Sequence, residues 1–461
     1  MINYFNFKKF GSDYLITNDF GHYAFVPENE LLNLIVNKKV SDISLKKELE
    51  QRYFLFDSSE QEFSSIAKFS LRNGKNYLFQ STALHIFVVS MSCNLKCKYC
   101  QAQNGVKEPF GMMNKETAEK AVALAFSSPN KNLSFEFQGG EPLTNFEIIK
   151  YIVELSEKNK VDRCVTYSLV SNLILLTDEI TDFIKKYNIS VSTSLDGNKY
   201  VHDSNRPARN GSGSFDIVTE RIKSLKQQGI NVGAIQTTTR YSINYAREIV
   251  DTYCDLGFNE IFLRPLTPLG TAKKDWENVG YSEDEFLAFY RNSLDIIIEK
   301  NKNGINISEQ YASIMLRKIL CNEAVNYMEL RSPCGASLGQ MAYFYDGNIF
   351  TCDEGRMLYE MGDDSFNIGN VNTSSYDDLM NSNVTKTVCK SSIIESLPEC
   401  CDCVYQPYCG VCPVVNYAMY NDIYPKEFEG YKCKINKGIL DYLFTLLRDD
   451  KEAARILRCW I

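Results

Sequence analysis

Between Leu84 and about Asn303, short apolar runs alternate with stretches whose apolar residues recur every three or four positions. That rhythm predicts strands separated by amphipathic helices. The strands are expected at His85–Ser92, Leu133–Gln138, Cys164–Val170, Ile189–Leu195, Asn231–Thr238 and Glu260–Leu266. Thr144 with Glu147, and Ser282 with Glu285, read as capping boxes that open two of the intervening helices. Six βα units in succession predict an α/β fold with a parallel sheet, either an incomplete barrel or a doubly wound sheet. The barrel is favoured because the candidate chemistry falls on loops that follow strands.

The flanks read differently. Residues 1–80 carry two strand-like runs, near Asp13–Asn18 and His22–Pro27, joined by the turn signal Asn18-Asp-Phe-Gly. Helical periodicity follows over Glu28–Asn37 and Ser44–Tyr53, so this part is expected to form a hairpin-plus-helices unit resembling a winged helix. Beyond Cys321 the alternation stops. A loop-rich segment with nine of the sixteen cysteines leads to a final amphipathic stretch, Asn436–Trp460, and metal rather than a large apolar core is expected to staple it. The expected divisions are thus 1–80, 81–320 and 321–461.

The chain has 461 residues, 44% hydrophobic and 23% charged, as an ordinary globular protein does. A formal charge of -8 argues against broad contact with nucleic acid. The first residues lack a basic leader with an apolar core, and apolar runs such as Ile86–Met91 are too short to span a bilayer. A cytoplasmic location without membrane contact is expected, where cysteines serve as ligands rather than as disulfides. With only three histidines, His22, His85 and His202, histidine-based sites are scarce, and His202-Asp203 makes a poor metal phosphohydrolase motif.

The first candidate site is Cys93-Asn-Leu-Lys-Cys97-Lys-Tyr-Cys100. Three thiolates at this spacing hold a cubic iron-sulfur cluster by three of its four irons and leave the fourth open. A structural cluster takes four cysteines, and a structural zinc closes its shell with a fourth Cys or His. One βα unit later stands Gln138-Gly139-Gly140-Glu141-Pro142, where two glycines allow close backbone approach and a glutamate can accept bonds from an amine. The second candidate constellation comprises Cys334, Cys352, Cys400, Cys403, Cys409, Cys412 and Cys433. Seven cysteines nearly fill two cubic clusters, although CxxC pairs by themselves also suit zinc. Cys164, Cys254 and Cys459 are expected to be buried small apolar residues.

The triplet with an aromatic before its last cysteine, then Gly-Gly-Glu-Pro, then Ser194-Leu-Asp-Gly197, resembles the radical S-adenosylmethionine superfamily over roughly residues 84–300. The resemblance implies a partial (β/α)6 barrel. It also implies a 4Fe-4S cluster on Cys93, Cys97 and Cys100 that chelates S-adenosylmethionine and cleaves it to a 5′-deoxyadenosyl radical. Gly139, Gly140 and Glu141 would receive the methionine amine. Ser168 and Asn172 would touch the ribose, although Ser-Asn-Leu replaces the family's usual Thr-Asn-Gly. Asp196 and Arg206 would bind cofactor or substrate, with Arg206 on the carboxylate. Gly347-Asn-Ile-Phe-Thr-Cys352 and Cys403-Val-Tyr-Gln-Pro-Tyr-Cys409-Gly resemble the SPASM extension. By that resemblance Cys334, Cys352 and Cys412 bind one auxiliary cluster, with Cys321, Cys389, Cys401 or substrate as the fourth ligand. Cys400, Cys403, Cys409 and Cys433 bind the other; the run departs from the usual pattern in having two rather than three residues between Cys409 and Cys412.

Asp19-Phe-Gly-His-Tyr-Ala-Phe and Gln101-Ala-Gln resemble the His-Xaa-Ser system radical maturases. That likeness implies a precursor peptide substrate, a crosslinking reaction, a leader-binding role for residues 1–80 and a ferredoxin- or flavodoxin-type electron donor. Two alternatives stand beside it: formylglycine formation, as in anaerobic sulfatase maturases, and a cysteine-rich redox-sensing regulator.

Overall fold

A computed structural model describes residues 1–56, 59–102, 111–424 and 430–461. Gln103, the last residue of the Gln101-Ala-Gln motif, lies outside the described residues. The chain opens with β1 (Asn6–Phe10), β2 (Asp13–Thr17) and β3 (Tyr23–Pro27), an antiparallel sheet in that order. The turn between β2 and β3 forms because Asn18 Oδ1 accepts from the backbone of Phe20 and His22, at 3.1 and 3.2 Å. Helices Glu28–Asn37, Ile43–Gln51 and Glu60–Gly74 follow. The sequence did not reveal β1, whose Asn-Phe-Lys-Lys-Phe exposes its three central residues.

β4 (Leu84–Ser90), β5 (Asn132–Gly139), β6 (Cys164–Val170), β7 (Ser190–Ser194), β8 (Val232–Thr237) and β9 (Glu260–Arg264) are parallel and lie side by side in chain order. A doubly wound sheet reverses its strand order at a switch point. This one has no reversal among its six strands, so the crossovers wind one way, as in a barrel. The short β10 (Ser308–Glu309) extends the β9 edge. One face of the sheet is apolar, with Phe135, Phe137, Leu169 and Val191 in the main core. The other carries Glu136, Gln138, Ser168, Ser192 and Ser194, all half-buried, and forms a polar barrel interior.

Of the two expected capping boxes, Ser282 with Glu285 is formed. Thr144 does not cap a helix. It lies in the 3-10 turn Pro142–Asn145, and its hydroxyl donates to Ser90 Oγ and Glu141 O, both at 2.7 Å.

The segment after Cys321 is more regular than its sequence suggested. β11 (Gln340–Tyr343) pairs in parallel with β4, and β12 (Asn348–Phe350) and β13 (Asn367–Asn370) continue the same sheet, now antiparallel. The ten-stranded sheet therefore runs across residue 320. Met341, Tyr343 and Ile349 enter the main core, while Ala342, Phe344 and Phe350 pack with Ile86, Val88 and Met91. The final amphipathic stretch forms helices Tyr431–Asp449 and Lys451–Arg458. No helix among the described residues is long and apolar enough to cross a membrane.

Candidate active site

The cysteine triplet follows β4 at the C-terminal edge of the parallel strands, and backbone bonds from two neighbouring loops hold it. Lys96 N and Lys98 N donate to the carbonyls of Pro207 and Asn205, both at 2.9 Å. Leu95 bridges Ala208, and Arg209 Nε donates to Cys93 O at 2.6 Å. From the short helix Gly270–Lys274 that follows β9, Thr271 N donates to Cys100 O at 2.8 Å, and a Cβ at Gly270 would stand 2.6 Å from the carbonyls of Cys100 and Gln101.

The Gly-Gly-Glu-Pro turn is joined to the same loop. Gly140 N donates to Ser90 O at 2.8 Å and Glu141 N to Ser92 O at 2.7 Å. Gly139 has φ 147°, and a Cβ there would lie 1.9 Å from Ser90 O, so only glycine permits this approach. Glu141 is 1% exposed. Its carboxylate accepts from Leu143 N at 3.0 Å, Ser171 Oγ at 2.7 Å and Asn172 N at 2.8 Å. Burial raises it to about 7, against the pull of those donors. Its side chain thus ties the turn to the loop after β6.

Asn172 Nδ2 lies 2.7 Å from Asn94 Oδ1 and 3.9 Å from Cys93 Sγ. Ser168 is further down the barrel, donating to Glu136 Oε2 at 3.2 Å. Asp196 is fully buried and accepts from both Tyr99 and Arg206: Tyr99 Oη lies 2.9 and 2.8 Å from its two oxygens, and Arg206 Nε lies 3.0 Å from Oδ2. Arg206 also bonds the Tyr99 hydroxyl and directs Nη1 at Cys97 Sγ, 3.9 Å away. The structure therefore gives Arg206 a carboxylate partner within the chain itself. His202 is neutral and structural: burial lowers it to about 3, Asp196 N donates to its Nδ1 at 3.4 Å, and its Nε2 meets Ser214 Oγ at 3.1 Å. Asp203 accepts from Ser214 N and Phe215 N, each at 2.8 Å. The His-Asp pair thus orders the segment that braces the triplet.

None of the sixteen cysteines forms a disulfide. Cys93, Cys97 and Cys100 act electrostatically on one another, and burial pushes Cys93 up to about 12 and Cys97 higher still. Such thiols stay protonated at neutral pH until a cation replaces the proton. Asn94 Nδ2, beside Cys93, is buried without a hydrogen-bond partner among the described residues. Buried thiols next to a residue with an unsatisfied buried donor suit an anionic sulfur-rich group. Among the described residues no three His, Cys, Asp or Glu side chains converge on a single-ion site.

Two further thiol groups occupy the C-terminal third. Cys334, Cys352 and Cys412 share one apolar cluster; burial is the main cause that raises all three pKa values, Cys412 adds to the rise of Cys334, and Glu354, Cys412 and Cys334 add to that of Cys352. Cys400, Cys403 and Cys433 are likewise raised by burial and then by Cys409. Of the proposed fourth ligands, Cys321 is exposed at a helix end, Cys389 adjoins Arg331 and Lys390, and Cys401 adjoins Tyr4. The expectation that Cys164 and Cys459 are buried is not met: both are exposed, on a strand end and a helix end that leave those positions in solvent. Cys254 is half-buried.

The Radical SAM superfamily model matches residues 87–256. The chain carries a radical SAM domain. It is 26% identical to the cysteine-type anaerobic sulfatase-maturating enzyme of Clostridium novyi (strain NT), over 72% of this chain and 87% of that one. Its radical SAM fold matches anSMEcpe with bound AdoMet and Kp18Cys peptide, with a TM-score of 0.68 at 22% identity, covering 82% of this chain and 99% of that one. It also matches Streptococcus suis SuiB bound to the precursor peptide SuiA, with a TM-score of 0.55 at 15% identity, covering 93% and 99%.

Sequence reasoning missed an ionic group that joins the end of β9 to the C-terminal segment. Arg264, at the end of β9, pairs with Glu329 at 3.3 Å and Glu354 at 3.8 Å, and Lys432 pairs with Glu329. Burial would raise Glu329, but Lys432 and Arg264 draw it down to about 2. No motif marks these residues, which come from four separate segments.

Proposed function

We propose that this radical SAM enzyme is a SPASM-type maturase that modifies, by crosslinking, side chains of a ribosomally synthesised precursor peptide. The observation carrying the proposal is the grouping of ten cysteines into sets of three, three and four, one set at the C-terminal edge of the parallel strands. Cys93, Cys97 and Cys100 would hold the 4Fe-4S cluster that binds S-adenosylmethionine. Cys334, Cys352 and Cys412, and Cys400, Cys403, Cys409 and Cys433, would hold two auxiliary clusters. When bound, the cluster and cofactor supply a one-electron cleavage that yields the 5′-deoxyadenosyl radical.

The chain's own residues bind, orient and shield. The backbone of Gly139 and Gly140 presents close polar atoms beside the triplet, suited to the methionine amine. Glu141 holds that backbone through Ser171 and Asn172. Asp196 fixes Arg206 and Tyr99 at the triplet, and Ser168 lines the interior toward the ribose. The apolar cluster around Cys334, Cys352 and Cys412 keeps water from that set. Residues 1–80 would recognise the leader by strand addition to a sheet edge. A small ferredoxin- or flavodoxin-type protein would supply electrons, and the location would be cytoplasmic.

Anaerobic enzyme given dithionite and S-adenosylmethionine tests the radical half: 5′-deoxyadenosine is expected, and none overturns it. A second reading, formylglycine formation, is favoured by the sulfatase-maturating relative, which aligns over 72% of this chain. Product mass with an aldehyde-reactive probe separates an aldehyde from a crosslink. A redox sensor would give no cofactor cleavage.

A further inference from the structure

Two side chains beside the triplet are aimed at sulfur and held there from behind. Arg206 directs Nη1 at Cys97 Sγ from 3.9 Å, and its side chain is 11% exposed. The rest of the guanidinium is committed: Nε to Asp196 Oδ2 at 3.0 Å and Nη2 to the Tyr99 hydroxyl. Asp196 is fixed in turn, since Tyr99 Oη lies within 2.9 Å of both its oxygens and Thr237 N donates to Oδ1 at 3.4 Å. Its only exit would be to break a buried ion pair.

Across the triplet, Asn172 directs Nδ2 at Cys93 Sγ from 3.9 Å while donating to Asn94 Oδ1 at 2.7 Å. Its backbone N donates to Glu141 Oε2 at 2.8 Å, and its own Oδ1 accepts from Ile174 N at 3.0 Å. Every polar group of this asparagine except its carbonyl is therefore assigned, and the amide orientation follows from the network. Donors that point at ligating sulfurs draw electron density from them and stabilise the more reduced, more negative cluster. A guanidinium adds its full charge, whereas an amide adds only a dipole.

We propose that Arg206 and Asn172 are positioning residues that donate hydrogen bonds to two of the three ligating sulfurs and thereby raise the reduction potential of the cluster on Cys93, Cys97 and Cys100. This rests on the cluster reading above. It assigns the two residues a task that exists before S-adenosylmethionine binds, so the test is made without that cofactor.

Full-length wild type, Arg206→Gln, Arg206→Lys, Asn172→Ala and Asp196→Asn would be reconstituted anaerobically and their iron and sulfide measured. Midpoint potentials would then be read by paramagnetic resonance during redox titration. Subtracting the spectra of Cys93→Ala/Cys97→Ala/Cys100→Ala protein removes the auxiliary signals. Arg206→Gln is expected to shift the midpoint most negative. Arg206→Lys should shift it less, because charge is retained and the fork is lost, and Asn172→Ala should give a smaller negative shift with full iron content. Asp196→Asn, which touches no sulfur, should follow Arg206→Gln in direction. Should Arg206→Gln fail to retain iron, Arg206→Lys and Asp196→Asn carry the same comparison. Full iron with wild-type midpoints in the Arg206 and Asn172 variants overturns the proposal. Wild-type protein that loads no more iron than the triple variant overturns the cluster reading instead.

Discussion

Replacing Gly139 with alanine asks how much of the site depends on one missing side chain. The φ of 147° is a conformation that costs an L-residue roughly 1–2 kcal/mol. The added Cβ would also stand 1.9 Å from Ser90 O, far inside van der Waals contact. Ser90 O accepts from Gly140 N at 2.8 Å, and moving it away gives up that bond, worth about 1 kcal/mol. Against these, alanine narrows the unfolded ensemble and returns about 0.4–1 kcal/mol. The net loss is about 2 kcal/mol, and it falls on the junction between β5 and the strand that feeds Cys93. Urea unfolding of wild type and Gly139→Ala, with iron measured after reconstitution, should show the lower midpoint together with reduced iron. Gly211→Ala is the control: its φ is 85°, but nothing lies within 4 Å of a Cβ there. It should lose about 1 kcal/mol by backbone strain alone and keep its iron. Equal stability and equal iron in Gly139→Ala and wild type would refute the close-approach argument.

Cys97→Ala should produce no 5′-deoxyadenosine under conditions where Cys459→Ser, an exposed thiol, matches wild type by chromatography of the products. Cys352→Ser should lower iron per chain by about four, the content of one cubic cluster, while Cys164→Ser changes nothing; iron analysis decides. Glu141 and Glu309 should each withdraw stability as pH rises from about 4.5 to about 7, while the buried neutral His85 and His202, lowered to about 3, add stability as pH rises toward 6.5. Burial lifts Glu141 and Glu309 from the ordinary 4.5 to about 7, so in that window the native state binds protons that the unfolded chain has released. Each group removes about 3 kcal/mol across the window. Between pH 4.5 and 7 the urea midpoint of Glu309→Gln should therefore gain on that of wild type as pH rises; parallel profiles would count against the assignment.

The six central strands were legible because their apolar runs, four to eight residues long, are separated by helical periodicity, and each observed strand lies within three residues of its expected ends. β1 was not legible: three exposed central residues give no alternation, and its pairing with β2 supplies the order. β11–β13 were hidden for another reason. They are three or four residues long and gain stability by extending an existing sheet, which local pattern cannot express. Among site residues, cysteines and glycines announce themselves by type and spacing. The supporting contacts do not: Arg209 on Cys93 O, Asn94 beside Asn172, and Arg264 with Glu329 join positions far apart in sequence. Thr144 shows the opposite failure, a sound local motif displaced because its hydroxyl finds Ser90 instead.

The parallel pairing of β11 with β4 has a bearing on biosynthesis. β4 leads into Cys93, yet its outer edge stays uncovered until residues 340–343 have left the ribosome. The nascent chain thus holds an unsatisfied, apolar strand for some 250 residues of translation. A fragment ending near residue 320 would present that edge to other chains as an aggregation site.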